Sequence, residues 1–144
     1  MARVIIDLPS KFRFSTTISI RITDINYGGH AGNDTILSLV HEARMQFLNI
    51  AGYTEMNCGG TGLIMTDAAI EFKKELFYGE VVTVSVVATN FSKISFELFY
   101  KMEKQAEGKT LLVAKVKTSM VCFDYTAKKV ATFSTEVIEK LTAV

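Results

Sequence analysis

The chain has 144 residues, of which 49% are hydrophobic and 22% charged; this is one domain's length and too apolar to stay disordered. Lys and Arg total 16 against 15 Asp and Glu, a formal net charge of +1, which lacks the basic footprint a phosphate backbone demands and argues against nucleic acid as a partner. The longest strongly apolar stretch without a charge, Val81 to Ser92, has 12 residues, well short of the roughly 20 of a spanning helix, so no membrane segment is expected.

A single domain over residues 1–144 is expected, without a secretory leader, because Asp7 interrupts the only apolar run near the start. Cys58 and Cys122 stand in unlike contexts, giving no disulfide framework and no Cys-x-x-Cys site, which suits a reducing cytoplasm.

Along the chain, Phe14 to Thr23 alternates, with Phe14, Thr16, Ile18, Ile20 and Ile22 on one face, and predicts a first strand. Asp24 to Gly32 holds Gly28, Gly29 and Gly32 among polar residues and predicts a loop. From Asn33 the period becomes helical: Ile36, Leu37, Leu39, Val40, Ala43, Phe47, Leu48 and Ile50 form one stripe, and Thr35, Ser38, Glu42, Gln46 and Asn49 the other. This predicts an amphipathic helix to Ala51, with Asn33 or Asp34 as N-cap and Gly52 after its end. Further strands are expected at Leu63–Lys74, Val81–Phe91, Ile94–Lys101, Thr110–Phe123 and Lys128–Phe133, joined largely as hairpins, and a short helix at Thr135–Lys140. One long helix, apolar on one side, is best buried by a curved, largely antiparallel sheet wrapping it, an α+β arrangement.

Several chemistries are excluded by reading. His41 and Glu42 begin a His-Glu-x-x-His match, but Met45 stands where the second histidine is needed, so no metal site is expected. The glycine clusters lack phosphate-loop spacing, and no Gly-x-Ser-x-Gly elbow supplies a serine nucleophile. What remains is the polar, glycine-rich stretch from Thr23 into the helix. A loop of this kind lets a ligand carbonyl approach free backbone N–H groups where the helix dipole favours developing negative charge, which is oxyanion-hole chemistry.

The segment Asp24-Ile25-Asn26-Tyr27-Gly28-Gly29-His30, with Asn33 and then Glu42-Ala43-Arg44 on the helix, resembles the signature of hotdog-fold acyl-CoA thioesterases, especially the hydroxybenzoyl-CoA thioesterase-like branch. In that pattern an Asp-Thr-Asp triplet precedes a glycine turn, an Asn or His, and a long central helix ending in Glu-x-Ala-Arg or a close variant. The resemblance covers most of the chain. It implies a hotdog fold, hydrolysis of an acyl-CoA thioester without a bound cofactor, and a homodimer or homotetramer. It also implies that the loop carries the site, with Tyr27, Gly28, Gly29, Gly32 and Asn33 meeting the substrate. One departure stands out. The second Asp of the triplet is Asn26 here, and an amide neither abstracts a proton nor attacks as a carboxylate does.

Asp34, at the helix start, and Asp24, at the strand end, are the carboxylates able to take over as base, with Asp34 preferred because the helix start fixes the carbonyl's seat. Each also has a structural reading, Asp34 as a first-turn residue and Asp24 as a turn anchor. Asn26 would orient substrate or water, or form an Asx-turn. His30 would bind substrate or exchange protons near neutral pH, or merely fill the turn. Glu42 lies on the polar stripe and is left to solvent, Arg44 is undecided by its phase, and Cys58 reads as a packed thiol. Lys73, Lys74 and Lys93 are candidates for the phosphates of CoA. A non-catalytic acyl-CoA or acyl-carrier binding protein is the alternative reading that Asn26 raises.

Overall fold

The structure is a computed structural model that describes residues 2–144. Six strands, β1 (Phe14–Ser19), β2 (Gly62–Phe72), β3 (Val81–Thr89), β4 (Ser95–Ala106), β5 (Lys109–Asp124) and β6 (Lys129–Val130), form one sheet, and two helices, α1 (Asn33–Ile50) and α2 (Thr135–Ala143), accompany it. The sheet order is β1-β3-β4-β5-β2, every pairing is antiparallel, and β6 adds to β5. This is the expected hotdog architecture. Alternation explains it: Phe96, Leu98, Tyr100 and Met102 of β4, and Val116 and Met120 of β5, are buried in one core with Val40, Ala43, Phe47 and Leu48 of α1.

Several boundaries differ from expectation. The first strand stops at Ser19, because Asp24 Oδ2 accepts the Arg21 N–H at 2.8 Å and draws Ile22–Asp24 into a 3-10 turn. Ile22, expected to face inward, is therefore 68% exposed. β4 runs on to Ala106, where Glu107 and Gly108, at φ 52° and 74°, make the hairpin turn. The mixed charges of Lys101, Glu103 and Lys104 mask that extension in sequence. The N-cap of α1 is Gly32 rather than Asn33 or Asp34, and Asn33 Oδ1 accepts the Asp34 N–H at 2.7 Å instead. At the other end of the stripe Ile50 is 67% exposed, while Arg44 is 5% exposed. α2 continues past Lys140 because Leu141 packs beside Val137 in the core.

One irregularity shapes the molecule's surface. Between β4 and β5 the register shifts at Met102/Glu103, leaving Val113 as the extra residue of a bulge. The Val113 carbonyl then accepts the N–H groups of both Lys73 (2.8 Å) and Lys74 (3.1 Å), ending β2 and turning the chain outward. On the sheet's outer face the N-terminal segment is pinned at Ile6, whose N–H donates to Glu71 Oε1 (2.6 Å) and whose carbonyl accepts from Lys115 Nζ (3.2 Å). No helix is long and apolar enough to cross a membrane among the described residues.

Candidate active site

The loop before α1 is a closed turn. Ile25 and Ala31 bridge antiparallel, the Asn26 N–H donates to the His30 carbonyl (2.9 Å), and the Gly29 N–H donates to the Asn26 carbonyl (3.1 Å). Gly29 sits at φ +86°, a conformation that only glycine adopts cheaply. Asn26 Oδ1 accepts the Gly28 N–H at 2.8 Å, an Asx-turn, and Tyr27 at the tip is fully exposed. The Ala31 N–H donates to the Leu76 carbonyl at 2.8 Å, tying the loop to the segment after β2.

Asn26, His30 and Asp34 converge around two glycines. At Gly32 the place a Cβ would take lies 2.6 Å from Asp34 Oδ1 and 3.3 Å from Asn26 Nδ2. At Gly28 it lies 3.2 Å from Asn26 Oδ1 and 3.5 Å from His30 Nε2. The His30 Nδ1 is 3.0 Å from the Ala31 carbonyl. A carbonyl only accepts, so Nδ1 carries the proton and the neutral ring keeps a lone pair on Nε2. Among the described residues the N–H groups of Gly32, Asn33 and Thr35 have no acceptor in the protein, as expected of the first turn of a helix.

Asp24 stands apart from this group. It is 7% exposed and occupied by the Arg21 N–H, with the Arg21 guanidinium 3.6 Å away. The Asp34 carboxylate is exposed beside the helix start.

A cleft of about 710 Å³ opens beside the loop. One wall is His30, Ala31, Asn33 and Ile36 at the start of α1, and the facing wall is residues 72–77 with the tip of the β4–β5 hairpin. Lys73 and Lys74 line it, whereas Lys93 does not. Lys73 Nζ is 2.9 Å from Glu71 Oε2; Lys74 pairs with no carboxylate among the described residues.

Two features went unread in the sequence. Lys104 lies in the cleft, with Nζ donating to the Glu75 carbonyl (2.7 Å) and Glu80 Oε1 (3.0 Å). Its place in the inward phase of β4, after Phe96, Leu98, Tyr100 and Met102, was the available signal. Arg44 enters the core instead of the surface, donating to Glu55 Oε2 (3.0 Å) and the Tyr100 hydroxyl (3.2 Å), which lies 2.8 Å from Thr118 Oγ1. Burial pushes the Tyr100 phenol up, so it stays protonated. Cys58 is pushed up to about 12, chiefly by burial, which makes it inert at neutral pH. Among the described residues no three His, Cys, Asp or Glu side chains are grouped to hold a metal ion.

Comparison with known proteins agrees with the fold. Residues 20–141 match the model of the thioesterase-like superfamily, and the chain belongs to that family. Among solved structures, a 1,4-dihydroxy-2-naphthoyl-CoA thioesterase from Synechocystis is similar at 21% identity and TM-score 0.78, over 89% of this chain and 94% of that one. A hypothetical protein from Aquifex aeolicus shares 25% identity at TM-score 0.78, over 89% and 98% of the two chains. An Asp-to-Asn mutant of a 4-hydroxybenzoyl CoA thioesterase, complexed with 4-hydroxybenzoyl CoA, shares 15% identity at TM-score 0.79, over 89% and 97%. No curated protein sequence matches the chain.

Proposed function

We propose that the protein hydrolyses an acyl-CoA thioester, with Asp34 as general base. The observation that carries this reading is the convergence of the Asp34 carboxylate and the Asn26 amide over Gly32, at a helix start whose Gly32, Asn33 and Thr35 N–H groups are free. In the proposed reaction the thioester carbonyl takes its hydrogen bonds from those N–H groups, where the dipole of α1 favours the oxyanion. Asp34 draws a proton from a water held between it and Asn26, the water oxygen bonds to the carbonyl carbon, and the carbon–sulfur bond breaks to release the CoA thiolate. That thiolate leaves readily, so little acid catalysis is asked of the protein, and no cofactor enters the scheme. His30 faces the same substrate from the cleft with Nε2 as acceptor, and Lys73 and Lys74 at the rim suit the phosphates.

The exposed edge of β2, 11 residues long with Met65 and Phe72 exposed, supports a homo-oligomer in which two copies pair their sheets there. A chain monomeric in light scattering at micromolar concentration refutes that part.

Thiol release from a panel of acyl-CoAs tests the function. Turnover that collapses in Asp34→Asn is the expected result. A second reading, a binding protein without turnover, is favoured by Asn26 being an amide already engaged with the Gly28 N–H. Binding of acyl-CoA without thiol release, together with turnover appearing in Asn26→Asp, would replace the first reading by the second.

A further inference from the structure

We propose that Lys104 determines specificity, selecting an acyl group whose distal end carries an oxygen acceptor. This deepens the thioesterase reading and rests on it for the direction in which the substrate lies. β4 points Phe96, Leu98, Tyr100, Met102 and Lys104 to the same side of the sheet, and Lys104 is the one charged side chain among these five. A lysine in such a row, 8% exposed, costs desolvation that a leucine would avoid. The residue is nonetheless fully engaged on one side. Its Nζ donates to the Glu75 carbonyl and to Glu80 Oε1, and stands 5.3 Å from the centre of the Phe77 ring. An ammonium has three N–H donors, and these two acceptors leave one without a hydrogen-bond partner among the described residues.

That remaining donor belongs to a side chain lining the cleft. The cleft has three chemically distinct parts: exposed Lys73 and Lys74 at the rim, His30 and Asn33 at the start of α1, where the Asn33 N–H is free, and buried Lys104 with Leu76 and Leu111. With phosphates at the rim and the thioester carbonyl at the helix start, the acyl group extends past the apolar side chains to Lys104. A methyl end would leave the third N–H unpaired and dry, whereas a hydroxyl or carboxylate end would accept it. The pairing with Glu80 already balances the lysine's charge, so a neutral oxygen is served as well as an anionic one.

The test compares hexanoyl-CoA, ω-hydroxyhexanoyl-CoA and adipoyl-CoA, which share a carbon chain and differ at its end. For the wild type, kcat/KM at least about tenfold higher for one or both oxygen-ended substrates is expected. Equal rates across the three overturn the proposal with no variant needed. In Lys104→Met the ratio of kcat/KM for the oxygen-ended substrates to that for hexanoyl-CoA should fall to about one; a preference that persists in the folded variant overturns the proposal. Ala106→Glu, two residues along the same row, leaves Lys104 in place and offers it an internal acceptor. It should abolish the preference too, which covers the case of Lys104→Met failing to fold. Calorimetry with non-hydrolysable thioether analogues of the three compounds separates the two readings. If no thioester is cleaved, the function fails, yet tighter binding of the oxygen-ended analogues, lost in Lys104→Met, still supports Lys104 as the selector, and equal binding overturns it.

Discussion

Replacing Gly32 by alanine isolates the proposed base from the stability of the helix it sits on. Gly32 has φ −72° and ψ 165°, which alanine adopts without strain. Its Cβ, however, would lie 2.6 Å from Asp34 Oδ1, where ordinary contact begins at about 3.4 Å. The carboxylate is exposed and swings away easily, by roughly 0.8 Å or more. A displacement of about 1 Å at a reacting group costs on the order of a hundredfold in rate. The effect on folding should be small: alanine is a poorer N-cap by up to about 1 kcal/mol, offset in part by about 0.4–1 kcal/mol from lower entropy of the unfolded chain. Thiol release and thermal melting of Gly32→Ala should therefore give kcat down by about tenfold to a hundredfold, with Tm within about 4 °C of wild type. Unchanged kcat on the best acyl-CoA would refute Asp34 as base, because a base cannot be moved without consequence.

The two aspartates should separate cleanly. Asp34→Asn loses about a hundredfold to ten-thousandfold in kcat with little change in Tm, since the carboxylate accepts no hydrogen bond among the described residues. Asp24→Asn, whose amide oxygen can still accept the Arg21 N–H but without the charge, should lower stability by about 1 kcal/mol and keep kcat; the reverse pattern makes Asp24 the base. Arg44→Met, which leaves the Glu55 carboxylate to His41 alone and the Tyr100 hydroxyl to Thr118 alone, should cost about 1–3 kcal/mol in urea denaturation; a loss under about 1 kcal/mol would mean the network is not structural. Glu71 is held below the ordinary carboxylate range, first by the Ile6 N–H and then by Lys73. Its folded value lies below its unfolded one, so its contribution is complete above the ordinary range and is lost as pH falls through the folded value. The protection factor for hydrogen exchange at the Ile6 amide should accordingly fall in acid, and Glu71→Gln should show a lower protection factor already at neutral pH.

Where one face is buried and the other wet, local pattern is enough: the period-2 alternation of β3 and β5 and the 3.6-residue stripe of α1 each specify an element and the side it hides. The loop was legible for a similar reason, since Gly29 at φ +86° and the Asx-turn of Asn26 are local requirements written in residue type. Tertiary structure decided whatever depends on partners distant in sequence. Asp24 and Asp34 look alike as acids flanking a loop, yet Asp24 folds back on Arg21 while Asp34 meets Asn26 across Gly32. Arg44 has no phase that announces burial, because its partners, Glu55 and Tyr100, come from a connection and from β4. The cleft wall at Lys73 and Lys74 is set by a bulge whose carbonyl belongs to Val113, and Lys104 becomes a cleft residue only because the Glu75 carbonyl arrives to accept from it and the Glu80 carboxylate to neutralise it. Periodicity encodes which face of an element is dry; which polar groups meet there is encoded only in how the elements pack.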